Sequence, residues 1–278
     1  MQTKRKIALG IGRNYLLLIL TLVLLAGTAA AQDDKAELAR AAQNPLASMI
    51  SLPFQNNFNF GLGPHDRTQY LLNIQPVIPI RLSDSWNLIN RTIVPVLYQP
   101  DIYAEQGSTG GVGDIQTSFF LSPARPGRLI WGVGPIFQFP SATNAMLGQG
   151  QWGLGPTFVA LTMQGPWVVG GLVNNVWSVG GQEARPDVNQ FLFQYFINYN
   201  MPEGWYITAT PILTANWKAA EGEEWTVPFG GGFGKIFRLG KLPVNGSATV
   251  YYNAVRPTDA ADWSLRLQLT FMFPAGKK

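Results

Sequence analysis

The feature that most constrains the fold is the last apolar stretch, residues 263–273, which reads WSLRLQLTFMF. Every second residue from Trp263 to Phe273 is apolar, and most of the residues between them are polar. Because side chains alternate between the two faces of a strand, this pattern predicts a strand with one continuous apolar face. A β-strand that crosses a lipid bilayer needs about 9–11 residues, an apolar outward face and aromatic residues at its ends. The stretch meets all of these requirements.

The same alternation returns along the rest of the chain. Regularly spaced strands separated by turn residues are typical of sandwiches and barrels. We predict an all-β fold, an antiparallel, up-and-down transmembrane β-barrel of about twelve strands. The predicted strands are residues 54–60, 69–80, 86–98, 115–122, 129–139, 152–163, 167–177, 190–200, 205–217, 225–237, 244–255 and 263–273.

The connections between these strands alternate in length. Those after even-numbered strands are short, such as residues 83–85, whereas those after odd-numbered strands are mostly longer, such as residues 99–114. This alternation is typical of an outer-membrane barrel with both termini in the periplasm. Tryptophan rings favour the membrane interface. They mark the ends of six predicted strands, at Trp86, Trp152, Trp167, Trp205, Trp225 and Trp263.

Prolines inside the predicted strands argue against a closed sheet, because proline removes a ladder donor and a closed sheet has no free edge. We attribute them to bulges or to rims where pairing has ended. The alternative is a soluble periplasmic β-sandwich, which would expose too many aromatic residues to water. The prolines concerned are Pro76, Pro79, Pro95, Pro135, Pro156, Pro211 and Pro228.

An internal echo supports repeated hairpins. Residues 131–137 read WGVGPIF, and residues 152–158 read WGLGPTF. Two copies are too few for a solenoid, so the echo is assigned to neighbouring strands of the barrel.

The first 31 residues predict a cleaved secretory signal. Basic residues precede an apolar core at residues 15–26, and Ala29–Ala31 gives a small-residue cleavage site. The alternative is an uncleaved membrane anchor.

We assign residues 32–53 to an N-terminal periplasmic linker, residues 54–273 to the barrel and residues 274–278 to a C-terminal tail. The linker either forms a mobile arm or tucks into the barrel.

Charge and cysteine content exclude several classes of function. Of the 20 Lys and Arg residues four lie in the leader, so the remaining 16 balance the 16 Asp and Glu residues. A neutral chain gives no basis for a nucleic-acid partner. The absence of cysteine excludes a disulfide framework and a thiolate metal site. We predict no cofactor and no bound metal.

The faces opposite the apolar ones carry mainly amides and hydroxyls and should line an enclosed interior. Apolar residues such as Phe196 are mixed among them, and charged residues are few. This composition favours a passive channel for small uncharged or aromatic solutes. The alternative is a lumen filled by side chains, because barrels of about 8 strands are filled and those of about 16–18 strands hold water. The predicted lumen-lining residues are Asn73, Gln75, Arg91, Asp114, Gln116, Gln194, Asn198, Arg266 and Gln268.

Other groups that could carry chemistry have simpler interpretations. His65 is the single histidine, and no serine follows within five residues, so a Ser–His lipase would need a serine brought close by folding. Residues 110–114, GGVGD, lack the helix and the Gly-Lys-Ser/Thr of a phosphate loop, which indicates a flexible connection. We predict no catalytic residue and no enzyme activity.

Loop carboxylates could bind Ca²⁺ or bridge lipopolysaccharide through cations, although solvated charge is the simpler interpretation for Asp101, Glu105, Glu221, Glu223 and Glu224.

Several segments together resemble a known family. They are residues 87–100 (NLINRTIVPVLYQP), 113–115 (GDI), 131–135 (WGVGP), 174–178 (NNVWS), 185–190 (RPDVNQ) and 225–229 (WTVPF). These segments are similar to the bacterial outer-membrane β-barrel family of meta-pathway phenol-degradation proteins, whose members are often labelled transporter or neuromedin U. The resemblance covers the whole mature chain. It implies passage of aromatic compounds and brings no catalytic residue.

We therefore expect a bacterial outer-membrane protein, exported through its signal peptide, that contacts membrane lipid and the barrel-assembly machinery and lets a small solute cross. The usual C-terminal aromatic is Phe273, which departs from common practice because five further residues follow it. A second hypothesis is a non-conducting barrel that acts through its loops in adhesion, assembly or envelope integrity. A third is a hydrolase embedded in the barrel.

Overall fold

The computed structural model describes residue 38 and residues 42–47, 49–104 and 107–274. Within this part the chain is all-β, and its strands form one closed antiparallel barrel of twelve strands. The predicted signal peptide, much of the predicted linker and the last four residues of the tail lie outside the described residues. No helix in the described part of the chain is long and apolar enough to cross a membrane.

Fifteen strand segments follow one another around the barrel in chain order, each antiparallel to its neighbours. The barrel closes where β1 pairs with β15, from Met49 opposite Pro274 to Phe60 opposite Trp263. The segments are β1 (Met49–Leu62), β2 (Arg67–Ile74), β3 (Val77–Arg81), β4 (Trp86–Gln99), β5 (Thr109–Val112), β6 (Ile115–Pro123), β7 (Leu129–Phe139), β8 (Gln151–Gln164), β9 (Trp167–Gly181), β10 (Asn189–Asn200), β11 (Trp205–Ala209), β12 (Ile212–Asn216), β13 (Trp225–Leu239), β14 (Leu242–Val255) and β15 (Trp263–Pro274).

The twelve predicted strands are confirmed, and two of them, residues 69–80 and 205–217, are interrupted. The assignment of residues 109–112 to a flexible connection is wrong, because they form β5 and pair with β4. Segments β2 and β3 form one barrel strand, as do β5 and β6, and β11 and β12. The predicted start of the first strand at residue 54 is wrong, because β1 begins at Met49. The end of β15 extends to Pro274 and provides hydrogen-bonding partners for residues 49–53, so the last part of the predicted linker belongs to the wall.

Alternation along each strand separates an outside from an inside. Segment β8 shows this most clearly, because its first nine residues alternate strictly between buried and exposed. Val159 points inward and is fully buried, whereas its neighbour Phe158 points outward and is 42% exposed. The apolar face of each strand therefore forms the outer surface, as the sequence pattern predicts.

Prolines in the strands lie where the hydrogen-bonded ladder is already interrupted. Pro76 and Pro211 lie in the breaks between β2 and β3 and between β11 and β12. Pro228 follows a shift in register between β13 and β14. Pro135 and Pro156 face each other across β7 and β8, and each lies where pairing with the next strand lapses. Since no ladder donor is required at such places, proline is compatible with the closed sheet.

The repeated motif at residues 131–137 and 152–158 coincides with these gaps in strand pairing. A Cβ atom on Gly134 would lie 1.8 Å from the carbonyl oxygen of Phe119, and a Cβ atom on Gly155 would lie 1.6 Å from that of Asn175. In each copy the glycine before the proline therefore admits a carbonyl group of the adjacent strand. The repeated Gly-Pro pair produces the same irregularity twice, once in β7 and once in β8.

All nine tryptophans lie near strand ends, in two groups around the barrel. One group surrounds the end that carries the short turns and both ends of the barrel chain, and contains Trp86, Trp131, Trp167 and Trp205. The other surrounds the end that carries the longer loops, and contains Trp152, Trp177, Trp217, Trp225 and Trp263. Exposed apolar side chains fill the band between them, including Val133, Phe158, Ile207, Phe233 and Leu267. Two aromatic girdles around an apolar band are typical of a barrel that crosses a bilayer.

Lys235 is the charged residue that the sequence places on the outer face near the short-turn end. Its Nζ atom lies 4.6 Å from the centre of a Trp205 ring. A cation over an aromatic face is stabilised electrostatically, and the long side chain reaches the aqueous boundary from an apolar surface. Lys235 therefore extends from the outer face towards the interface at the short-turn end.

Candidate functional site

Three cavities inside the barrel share wall residues and so follow one another along its interior. The lower cavity, of about 190 Å³, borders residues 42–45 and shares Gln55 and Arg266 with a middle cavity of about 430 Å³. The middle cavity shares Thr214 and Thr226 with an upper cavity of about 450 Å³ beneath the longer loops. The interior thus contains three neighbouring cavities in a series that runs towards the loop end.

The structure places eight of the nine predicted lumen residues against these cavities. Asn73 borders the middle cavity, Gln116 borders the upper cavity, and Arg266 borders both the lower and the middle cavity. The others that border the lower cavity are Gln75, Arg91, Gln194, Asn198 and Gln268. Their contact with a solute remains a prediction.

Asp114 is placed differently from the other predicted residues. Its carboxylate accepts the backbone N–H of Ala142 at 3.1 Å and that of Gln149 at 2.5 Å. These bonds hold the loop of residues 140–150 against the wall, and Asp114 is absent from the walls of the three cavities. The side chain therefore anchors a loop, an arrangement that its position in the sequence does not reveal.

The glycine-rich segment beside Asp114 has a related structural role. A Cβ atom on Gly111 would lie 2.1 Å from Oγ1 of Thr143. On the opposite side of the loop, Arg185 donates to the carbonyl oxygens of Ala145 at 2.9 Å and Gln149 at 3.1 Å. The glycines let the loop pack closely, and the loop is then fixed from both sides.

A chain of amide hydrogen bonds joins two arginines along the wall. Arg91 donates through Nη2 to Oε1 of Gln75 at 2.8 Å, and Nε2 of Gln75 donates to Oε1 of Gln55 at 2.8 Å. Gln55 then donates to Oδ1 of Asn57 at 3.1 Å, which also accepts from Nε of Arg266 at 3.0 Å. Gln55 and Asn57 have the same inward parity as the predicted residues, and parity is the signal that identifies them.

Arg266 also donates a hydrogen bond to the backbone at the break between β11 and β12. Its Nη1 atom donates to the carbonyl oxygen of Thr210 at 3.1 Å, and the N–H of Thr210 donates to the hydroxyl oxygen of Tyr251 at 3.2 Å. The guanidinium lies 5.0 Å from the ring centre of Tyr251. Backbone groups released by the break thus find side-chain partners inside the barrel, as buried polar groups require.

Apolar side chains close the lumen at the short-turn end. Leu46, which is 6% exposed, belongs to a buried cluster with Val77, Ile89, Phe120, Val159, Leu161, Val168, Leu172 and Phe196. Leu38 and Ala42 pack against a second cluster of Tyr206, Ile236 and Met272. We refer to residue 38, residues 42–47 and these two clusters as the apolar plug.

The N-terminal segment therefore tucks into the barrel, which is one of the two arrangements considered from the sequence. Gln43 and Asn200 fix it through reciprocal amide hydrogen bonds of 2.9 Å and 3.2 Å. Both predicted states of the lumen are present together. Side chains fill the lumen at the short-turn end, whereas neighbouring cavities remain between this end and the longer loops.

Charged side chains in the cavity walls are distributed unevenly. Arg91 and Arg266 are the charged residues that border the lower and middle cavities. In the described part of the chain, the three ion pairs are Arg81–Asp84, Lys218–Asp187 and Arg256–Asp262, so neither arginine pairs with a carboxylate. Glu223 and Glu224 border the upper cavity. The deeper space is consequently electropositive.

Two features of the described residues bear on hydrolysis and metal binding. His65 is exposed in the turn between β1 and β2 and has no hydrogen bond to a serine in the part of the chain that is described. No group of three or more His, Asp or Glu residues in the same part could hold a metal ion. The candidate functional site is the lumen, whose walls carry amide side chains and two arginines.

Comparison with known proteins supports the fold. No family model and no curated sequence matches the chain. The structure is similar to an outer-membrane channel from Pseudomonas putida F1, with a TM-score of 0.61, 16% identity, and coverage of 81% of this chain and 94% of that one. It is also similar to the NanC porin, with a TM-score of 0.52, 9% identity, and coverage of 80% and 98%.

A weaker likeness, with a TM-score of 0.41, 12% identity, and coverage of 80% and 95%, links the chain to outer membrane phospholipase A from Escherichia coli. At such identities the first two likenesses establish a shared fold, and the specific phenol-degradation family stays a prediction. The chain has the fold of bacterial outer-membrane barrel proteins.

Proposed function

We propose that this protein is a passive channel of the bacterial outer membrane for small solutes. The observation that carries the proposal is the series of three neighbouring cavities inside the barrel, whose walls include many amide and hydroxyl groups. Such groups replace the hydrogen bonds that a solute loses when it leaves water. No cofactor is required, because diffusion down a gradient supplies the driving force.

The outer surface supports placement in the membrane. An apolar band lies between two groups of tryptophans, which suits the hydrocarbon layer and its two interfaces. With residues 1–31 as a cleaved signal, both ends of the barrel chain and the short turns would face the periplasm. The longer loops would then face outward, with membrane lipid and the barrel-assembly machinery as partners.

The class of solute follows from the walls and from the resemblance described above. Phe196, Leu172 and Val77 border the lower cavity beside its amides, so a molecule with an apolar or aromatic part fits. The lumen is narrow, and the apolar plug closes its short-turn end in this structure. Passage therefore requires the plug to move.

Single-channel recording in planar bilayers, together with solute flux into liposomes, tests this proposal. The purified full-length mature protein should show discrete conductance steps and should admit small aromatic solutes faster than empty liposomes do. Replacement of residues 42–47 by a Gly-Ser segment of equal length should increase both signals. If neither the native protein nor this variant conducts or admits solute, the channel proposal is wrong.

A second function is favoured by the plug, because a lumen closed at one end suits a barrel that acts only through its loops in adhesion or envelope integrity. In that case deletion of residues 101–108, the loop between β4 and β5, should abolish adhesion or envelope integrity and leave permeability unchanged. An embedded hydrolase is tested separately. Phospholipid hydrolysis by the native protein that disappears in His65→Ala would support an enzyme and contradict the channel assignment.

A further inference from the structure

The lower cavity contains two cations without counter-ions. Arg91 donates one hydrogen bond within the described part of the chain, to Gln75, and Arg266 donates two, to Asn57 and to the carbonyl oxygen of Thr210. A guanidinium carries more N–H donors than these bonds use. Both arginines border the same cavity and are half-buried.

A buried hydroxyl beside Arg266 also lacks a partner. Thr249 lies directly opposite Arg266 in the register of β14 and β15, so their side chains share the inward face. It is 3% exposed and borders the lower cavity, and its Oγ1 atom has no hydrogen-bond partner among the residues that the structure describes. An unpaired buried polar group is costly, and a bound acceptor would remove that cost.

Part of the wall of this cavity is apolar. Val77, Leu172 and Phe196 border it and belong to the buried cluster around Leu46. The cavity volume is about 190 Å³. An apolar cavity of about 150 Å³ accommodates one benzene molecule. The space therefore suits one ring together with one small polar group.

We infer that the lower cavity binds a small organic anion, a carboxylate attached to an apolar body of about one ring, with the carboxylate held by Arg91, Arg266 and Thr249. A guanidinium fork matches the geometry of a carboxylate, and its buried charge needs an opposite charge. The ring packs against Phe196 and Leu172. This inference rests on the proposed channel and refines it, because the deep lumen selects a charged solute where the sequence alone favoured an uncharged one.

Binding is tested by calorimetry on the full-length mature protein in lipid nanodiscs, with empty nanodiscs as the blank. Benzoate, benzyl alcohol and benzylamine share one ring and differ in charge. Benzoate should bind most tightly. Arg91→Gln should weaken benzoate binding by about tenfold or more, because it removes a charge-assisted contact, and should leave the affinity for benzyl alcohol unchanged.

The matched control is Arg125→Gln, which makes the same change of charge on an exposed residue of the turn between β6 and β7. It should bind benzoate as the native protein does. Arg91 is chosen for the decisive variant because Arg266 also holds the break at Thr210. Circular dichroism confirms that each variant retains the β-sheet signal. Equal affinity for benzoate and benzyl alcohol, or benzoate binding unaffected by Arg91→Gln, would overturn the inference.

Reversal potentials in a salt gradient separate this inference from the proposed channel. A channel with these arginines should pass anions faster than cations, and the preference should decrease in Arg91→Gln. Conductance without anion preference and without benzoate binding would refute the anion site and leave the channel intact. Benzoate binding without conductance or flux would support the site and refute the channel.

Discussion

Inward-facing side chains of the strands form both ends of the lumen, but they are apolar at the short-turn end and largely polar towards the loop end. At the short-turn end Val159, Leu161 and Val168 are fully buried and pack around Leu46. Towards the loop end, inward positions carry groups such as Asn73 and Thr214 that border open space. The comparison teaches that alternation decides which side chains lie inside, whereas their chemistry decides whether the inside is a core or a passage.

This difference has a simple physical origin. Apolar side chains that face one another across a narrow lumen exclude water and pack as a protein core does. Amide and arginine side chains retain hydration or bond along the wall, so space is left between them. The N-terminal segment contributes to the apolar end, because Leu46 packs in one buried cluster with side chains of the strands.

Among the changes that test the difference between the two ends, replacement of the N-terminal part of the plug should have the largest effect. Replacing residues 42–47 by a Gly-Ser segment of equal length should increase single-channel conductance severalfold, because the closed end would lose the side chain of Leu46. The matched control replaces residues 124–127, an exposed turn at the same end of the barrel. An unchanged conductance in the plug variant would mean that the lumen is closed by the strand residues alone.

Truncation inside the apolar end should be more costly than truncation outside it. Leu161→Ala should lower the free energy of unfolding by roughly 2–5 kcal/mol, because a buried leucine leaves a cavity. Leu161 is 1% exposed, whereas Leu154 in the same strand is 40% exposed on the outer face. Equilibrium urea unfolding in lipid vesicles compares Leu161→Ala with Leu154→Ala. Equal losses would contradict the description of the short-turn end as a packed core.

Loss of one polar contact in the plug should have a moderate effect. The Tyr206 hydroxyl donates to Oδ1 of Asn245 at 2.7 Å, and both residues are buried. Tyr206→Phe leaves that oxygen without this partner and should destabilise the barrel by about 1–3 kcal/mol in the same unfolding measurement. Tyr252→Phe, at a residue that is 56% exposed, is the control and should change stability by less than about 0.5 kcal/mol.

The smallest effect concerns the loops above the open end. The Thr258 side chain and backbone N–H both donate to the carboxylate of Glu223, and these bonds lower the pKa of Glu223. A lowered pKa means that the contact stabilises the folded loops above the ordinary pKa of glutamate and is lost as pH falls through the lowered value. Thr258→Val should raise the pKa of Glu223 towards its ordinary value, measured by NMR titration. An unaltered pKa would show that the hydroxyl contributes nothing.

Much of the wall could be predicted from sequence. Period-2 alternation located all twelve strands, and parity placed residues such as Gln75, Arg91 and Gln194 on the inward face, where the structure has them border the lower cavity. Asp114 shows where parity fails. Near the end of a strand a side chain can turn to bond a loop, and its partners Ala142 and Gln149 are not identified by any local pattern.

The sequence by itself determined the strands, their two faces and the closed barrel, because these follow from steric alternation and from the length needed to cross a bilayer. Only the tertiary structure decided what the lumen contains. Gln43 bonds Asn200 across 157 residues of chain, and Arg266 bonds Asn57 across 209. Contacts between such distant residues depend on how the barrel closes, so the plug and the arginine-lined cavity emerge only when the wall is complete.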